Sequence, residues 1–243
     1  MSNKSLLILL IVILVLFGAA AIFYSRRQQG STLNGQSNPN LEQQATNQQA
    51  DAVAQADQAA ECQRDFDQSK LSQNVDIKNR QVEIDVTNFG KIVFELYDQD
   101  APKAVENFLK LANSGYYDCL TFHRVAQEFV IQGGDPSGNG SGGQSAFGQP
   151  FADELNPNAE SYKAGYLKGV LAMANSGPNT NGSQFFIMLE DKALSHDYTI
   201  FGKVIAGQEI VDRIGQVPIT PALGPTDGSP KTPVIMQKVS IIK

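Results

Sequence analysis

The chain has 243 residues, of which 42% are hydrophobic and 18% charged, with a formal net charge of −6. It contains no basic tract, which excludes a nucleic-acid partner, because such proteins need a concentrated Lys/Arg footprint. Apolar residues crowd into the first two dozen positions, large ones are scarce from 28–60, and they return from Gln81 in short alternating segments. That distribution points to one medium domain with extensions, not one large domain.

Residues 6–23, Leu6 to Phe23, form an almost wholly apolar run preceded by Lys4 and followed by Arg26 and Arg27. At about 1.5 Å per residue, such a helix approaches the roughly 30 Å hydrocarbon core of a bilayer. A cleaved signal sequence competes with an uncleaved anchor, since Lys4, the run to Phe17 and Ala19-Ala20-Ala21 fit the pattern of charged, apolar and small residues. Either reading favours a location outside the cytoplasm for the domain that follows: anchored by a single N-terminal helix, or secreted if the segment is removed. The Arg pair keeps the opposite orientation open.

The next stretch, 28–80, begins rich in Gln, Asn, Ala and Ser, too polar to bury the apolar area that would offset ordering. It reads as a spacer between residues 1–27 and a folded domain at 81–243, with local helix in its Ala/Gln-rich part. The chain has two cysteines, Cys62 near the end of the spacer and Cys119 in the domain. With His123 and His196 they form no metal-ligand pattern, so no metal site is expected. In an oxidising compartment Cys62 and Cys119 can close a disulfide; the alternative is two unrelated thiols.

From Gln81 the pattern predicts strands at 81–87 and 91–97 around a turn at Asn88-Phe89-Gly90. Ala101 to Ala112 predicts a helix with Pro102 in its first turn, an apolar face of Val105, Phe108, Leu109 and Ala112, and a stop at Gly115. Phe122 to Asp135 predicts two short strands joined by a tight corner. Alternation there sends His123 and Arg124 to opposite faces and groups Arg124 with Phe129 and Gln132 as donor, apolar wall and amide. Further strands are expected at 169–174, 185–189, 199–204 and 234–242, with a second helix at 208–214. Many strands and two helices argue an all-β-dominated fold, a closed antiparallel barrel or sandwich with the helices over its ends. Large apolar residues on nearly every strand predict a filled interior, unlike that of a small-molecule carrier.

Several familiar patterns fail on their chemistry. Asp135-Pro-Ser-Gly-Asn-Gly starts like a calcium loop, but its twelfth position is Ala146 where a bidentate Glu is needed. Asp153 and Glu154 are adjacent carboxylates that diverge if extended, so a loop face or helix cap is the better reading. Ser195-His196-Asp197 carries triad letters, yet triads are assembled across a fold and not along a tripeptide.

The segment Leu171 to Leu189 runs from strand through a Gly/Pro/Asn-rich loop to strand, with Asn175, Gln184 and Phe186 as candidate site residues. FHRVAQEFVIQGGD, GNGSGG, FADEL, MANSGPNTNGSQFFI and YTIFGKV, in that order and spacing, closely resemble the cyclophilin family of peptidyl-prolyl cis/trans isomerases. The resemblance covers Gln81 to Lys243 and implies a closed eight-stranded antiparallel β-barrel capped by two α-helices. It implies Arg124 as the catalytic residue, and Phe129, Phe186 and Leu194 as walls of a proline pocket. Gln132, Ala174, Asn175 and Gln184 then line the groove and hold substrate backbone. Val130 stands where the family often has Met, and Tyr198 where a His is common. Ala193 replaces the frequent pocket-edge Trp on which cyclosporin binding leans.

The activity so implied is rotation of X-Pro bonds in unfolded or newly exported polypeptides, assisting folding, with no metal or cofactor. The expected partners are proline-containing segments and a lipid bilayer at residues 6–23, with the chain monomeric. The alternative is a chaperone-like module that captures Pro-containing partners in the same groove with little turnover.

Overall fold

The computed structural model describes Cys62 and residues 64–243. The expected membrane span and the Gln/Asn/Ala-rich stretch lie outside the described residues. Among the described residues, no helix is long and apolar enough to cross a membrane.

Alternation builds the first hairpin. In β1 (Gln81–Val86) the side chains of Val82, Ile84 and Val86 are buried, and in β2 (Gly90–Leu96) those of Ile92, Phe94 and Leu96. Asn88 turns the corner at φ 65°, a left-handed conformation that Asn tolerates better than most residues. Helix α1 (Pro102–Asn113) follows, and its apolar face is wider than the expected stripe, burying Ala104, Val105, Phe108, Leu109, Leu111 and Ala112. Ala101 offers the helix start no side-chain cap. Glu154 caps it from a distance, accepting the N–H groups of Lys103 and Ala104, each at 2.9 Å. One of the adjacent carboxylates is thus a helix cap.

The remaining strands are β3 (Leu120–Ala126), β4 (Val130–Gly133), β5 (Val170–Met173), β6 (Phe185–Met188), β7 (Ile200–Ala206), β8 (Ile219–Gly224), β9 (Asp227–Pro230) and β10 (Ile235–Ile241). Short helices α2 (Glu160–Ala164) and α3 (Gln208–Ile214) interrupt them. Strand order β10-β1-β2-β7-β5-β6-β4-β3, closed by pairing of β10 with β3 at Ile235–Thr121 and Met236–Leu120, makes an eight-stranded antiparallel barrel. Phe94, Phe108, Phe122, Phe185 and Phe201 are fully buried, so the interior is filled. Phe108 carries α1 into that core, 5.4 Å from Phe185 and 5.3 Å from Phe201, ring to ring. From α3, Ile210, Val211 and Ile214 join the same cluster.

Two features differ from the sequence expectation. The five-residue α2 is a third helix besides the two expected. The β8–β9 hairpin lies outside the barrel and was not expected, because Pro218, Pro221, Pro225, Pro230 and Pro233 argue against a strand. It pairs with the C-terminal half of β3, along the edge whose other half pairs with β10. Pro221 is tolerated because β8 is the edge strand, and Pro230 is the last residue of β9.

The last part of the segment read as a spacer packs on the domain. Cys62 is bonded to Cys119, with a Cα–Cα distance of 5.7 Å. A 3-10 turn at Gln68–Ser72 follows, capped by the Asp67 carboxylate, and Leu71, Val75 and Ile77 lie against the barrel core. Phe66 meets Tyr116 edge-on at 5.4 Å, and the Arg64 guanidinium sits 4.7 Å from the Tyr116 ring centroid.

Candidate active site

A break in alternation on β3 creates the site. Strict period-2 alternation would send Arg124 to the same side as Phe122, into the barrel core. Instead the pairing register with β4 shifts between Phe122, opposite Gly133, and Arg124, opposite Gln132. This bulge re-aims the strand, so Phe122 stays inside while Arg124 turns outward. His123, the residue at the bulge, is buried.

From there the register lays out a row across the outer face. Arg124 faces Gln132, Gln132 faces Phe186, Phe186 faces Ala172, and Ala172 faces Ile200. Around this row a second apolar cluster forms, separate from the barrel core, in which Val130 and Phe186 are joined by the partly buried Phe129, Ala174, Leu194 and Tyr198. The structure therefore brings together the expected apolar walls. Phe186 meets Tyr198 edge-on at 5.4 Å. Val130 is only 2% exposed, so it backs the pocket and presents almost no surface to a ligand. Ala193 is exposed.

The polar residues form one directed chain. Gln184 Nε2 donates to the carbonyls of Gly140 and Gly142, at 2.9 and 2.8 Å. Carbonyls only accept, so the amide of Gln184 must turn its oxygen to Gln132 Nε2, at 2.9 Å. Gln132 Oε1 then accepts from Arg124 Nη1 at 3.0 Å. On its other edge Arg124 donates from Nε and Nη2 to the two oxygens of Asp227, at 2.8 and 2.7 Å. That hydrogen-bonded carboxylate, more than any other influence, raises the pKa of Arg124 further. Beside Gln132 and Gln184 lies a recess of about 200 Å³ whose wall includes Gly142, Gly143, Asn175 and Thr180.

Asn175 lies in the wall of the recess, and its side chain is tied down there. Its Nδ2 donates to the Asp197 carbonyl at 2.8 Å and its Oδ1 accepts the Gly177 N–H at 3.2 Å, so the side chain braces its own loop. Asp153 anchors the same loop through the Asn181 amide and the Asn179 N–H, at 2.8 and 2.6 Å. The two adjacent carboxylates serve two separate structural tasks. Ser195, His196 and Asp197 make no triad: Ser195 bonds Asp197, while His196 stacks on Tyr162 at 3.9 Å and bonds its carbonyl.

Behind the groove, the loop that failed as a calcium site is built around Asp135, whose carboxylate accepts N–H groups of Ser137, Asn139 and Gly140. Burial pushes the Asp135 pKa up, but these backbone donors outweigh it and the net direction is down. His123 lies beneath this loop with both ring nitrogens buried and without a hydrogen-bond partner. Its pKa is lowered, mainly by burial, with Asp135 pulling the other way. The unfolded chain takes up this proton near the ordinary value of about 6.5, whereas the folded chain resists it until lower pH. Stability should therefore decline as pH falls below about 6.5, and a His123→Leu variant should show a flatter decline in chemical denaturation between pH 7 and pH 5. Parallel curves for the two proteins would remove His123 from that account.

Sequence reasoning missed Asp227, because the proline-rich hairpin that carries it did not read as strand. The available signal was Gly224-Pro225-Thr226-Asp227-Gly228, a concentration of turn-forming residues between two short segments. It also missed Asn107, which is fully buried in α1 and bonds the Gly182 carbonyl and the Ala146 N–H, tying the helix to both groove loops.

Comparison with known proteins identifies the family. A sequence model of the family described as "Cyclophilin type peptidyl-prolyl cis-trans isomerase/CLD" matches residues 81–241. Peptidyl-prolyl cis-trans isomerase-like 1 of Neurospora crassa is 44% identical over 158 residues, covering 65% of this chain and 91% of the relative. The human protein of that name is 50% identical over 132 residues, covering 54% and 77%. The crystal structure of a cyclophilin type peptidyl-prolyl cis-trans isomerase from Cryptosporidium parvum, determined in the presence of the dipeptide Ala-Pro, superimposes with a TM-score of 0.60 at 39% identity. That match covers 67% of this chain and 99% of the other. With an arginine turned outward beside an apolar pocket on a closed eight-stranded barrel, and with the family's sequence matched from end to end of that barrel, this chain belongs to the cyclophilin-type peptidyl-prolyl cis-trans isomerases.

Proposed function

We propose that Arg124 is the catalytic donor and that the apolar cluster around Phe129 and Phe186 grips the proline ring. Rotation about an X-Pro bond is opposed by amide resonance, with a barrier of about 18–20 kcal/mol. As the bond twists, the prolyl nitrogen loses conjugation and gains a localised lone pair. A guanidinium that donates to this nitrogen binds the twisted state better than the planar one, so the barrier falls by differential binding. Leu194 and Tyr198 complete the pocket, while Gln132, Gln184, Ala174 and the main chain at Asn175 border the path of the substrate backbone. Three of the five guanidinium N–H groups are used by Asp227 and Gln132, which leaves one on each terminal nitrogen for substrate. The observation that carries this reading is the Arg124 guanidinium held on both edges beside the second apolar cluster.

We further propose that residues 6–23 anchor the chain in a membrane, that 28–61 separate the anchor from the domain, and that the domain works as a monomer outside the cytoplasm. Its clients are proline-containing segments of unfolded or newly exported proteins. The apolar run at residues 6–23 supports the anchor, and the Cys62–Cys119 bond supports an oxidising compartment. Protease added to intact cells carrying the full chain should digest the domain while the chain fractionates with membranes. A domain that stays protected until the cells are lysed would overturn the location.

A further inference from the structure

We propose that Asp227 is a positioning residue for isomerisation: its carboxylate fixes the plane of the Arg124 guanidinium from which the N–H is delivered to the prolyl nitrogen. This rests on Arg124 being the catalytic donor. The sheet register explains how Asp227 comes to be there. On β9 it pairs with Ala126, two residues beyond Arg124 on the same face of β3, so it is the diagonal neighbour of Arg124. The resulting contact is a two-point fork, from Nε to Oδ1 and from Nη2 to Oδ2. Gln132 alone, with one bond to Nη1, would leave the guanidinium free to pivot about that contact. Two parallel bonds on the opposite edge fix its plane.

The hairpin that carries Asp227 has little other visible task. In β8 Ile219 is buried, but Pro221, Ala222 and Leu223 are exposed, and in β9 only Gly228 is buried. A hairpin that adds so little to the core nevertheless places its one acidic side chain, 20% exposed, against the 28%-exposed side chain of Arg124. Gly228 makes the placement possible, since a Cβ there would collide with the Thr220 carbonyl oxygen and force β8 and β9 apart.

A carboxylate beside the catalytic cation also has a cost, because its negative charge weakens the field at the prolyl nitrogen. Arginine stays protonated at any working pH, so Asp227 is not needed to keep it charged. Position and field therefore make opposite predictions for removal of the carboxylate, and the proposal is that position dominates.

The test is line-shape or exchange NMR on a short X-Pro peptide, using the full chain and the variants Asp227→Ala, Asp227→Asn and Arg124→Ala. Expected is a fall in kcat of about tenfold for Asp227→Ala and about threefold for Asp227→Asn, which keeps one acceptor, with KM within about twofold. The Arg124 Nε–Hε signal should exchange faster with solvent in both Asp227 variants, while their melting temperatures stay close to the parent's. An unchanged or increased kcat would overturn the proposal, as would kcat, KM and melting temperature all shifting together. Arg124→Ala separates the two readings. If it retains turnover, the catalytic reading of Arg124 has failed; if it loses turnover while both Asp227 variants keep theirs, the positioning role alone has failed.

Discussion

Arg124→Ala is expected to lower kcat/KM for an X-Pro peptide by about a hundred- to a thousandfold, the usual loss when one donor to a developing charge is removed. The reason is local. No other cation is drawn into the hydrogen-bonded chain from Gly140 through Gln184 and Gln132, so nothing described replaces the donated N–H. The fold should be little affected, because Arg124 lies on the outer face and the barrel core on the other side of the sheet is untouched. Arg124→Lys should also fail to restore turnover, since an ammonium cannot hold the two-point contact with Asp227 and still extend toward the groove. A protease-coupled or NMR assay on both variants checks this, alongside a melting curve showing that each is folded.

Loss of the Cys62–Cys119 bond is expected to be the largest single stability change short of emptying the core. The two residues are 57 apart in sequence, and closing a loop of that length is worth about 4 kcal/mol through the entropy of the unfolded chain. In a domain of this size, that corresponds to a fall in melting temperature of about 10 °C. Some of the loss is native-state packing. Phe66 and Arg64 are held over Tyr116, and the Asp67 N–H bonds the Ser114 carbonyl at 2.8 Å, all within a segment tethered by Cys62. Melting the full chain with and without reductant, and a Cys62→Ser/Cys119→Ser variant, measures it. A shift of less than about 2 °C would mean that the packed segment holds itself in place.

The barrel was legible because its strands alternate cleanly and its helices carry ordinary start and stop signals. Val82, Ile84 and Val86 point inward by period alone, and Pro102 and the Phe108 face mark α1. The site residues Arg124, Phe129, Gln132 and Phe186 were legible from motifs; register then showed why Arg124, Gln132 and Phe186 meet in one row across β3, β4 and β6, with Phe129 packed beside it just before β4. What could not be read depends on contacts between distant segments. The bulge at His123 appears only when β4 is paired with β3. Asp227 lies 103 residues from Arg124, in a hairpin whose prolines argue against strand. The packing of Leu71, Val75 and Ile77 was hidden for a similar reason, since three spaced apolar residues in polar sequence carry no periodic signal until the barrel surface they cover exists. Asn175 was expected to line the groove and lies in its wall; that its side-chain amide also braces the loop is not legible from composition.

The role proposed for Arg124 is to act on the twisted bond and not on the bound peptide. Equilibrium exchange NMR with an X-Pro peptide measures both quantities in one sample, the dissociation constant and the catalysed cis/trans exchange rate. For Arg124→Ala in the full chain, binding is expected within a few-fold of the parent, because the Phe129, Phe186, Leu194 and Tyr198 pocket is intact, with catalysed exchange all but absent. Exchange that persists in the variant, or binding lost in proportion to turnover, would contradict it.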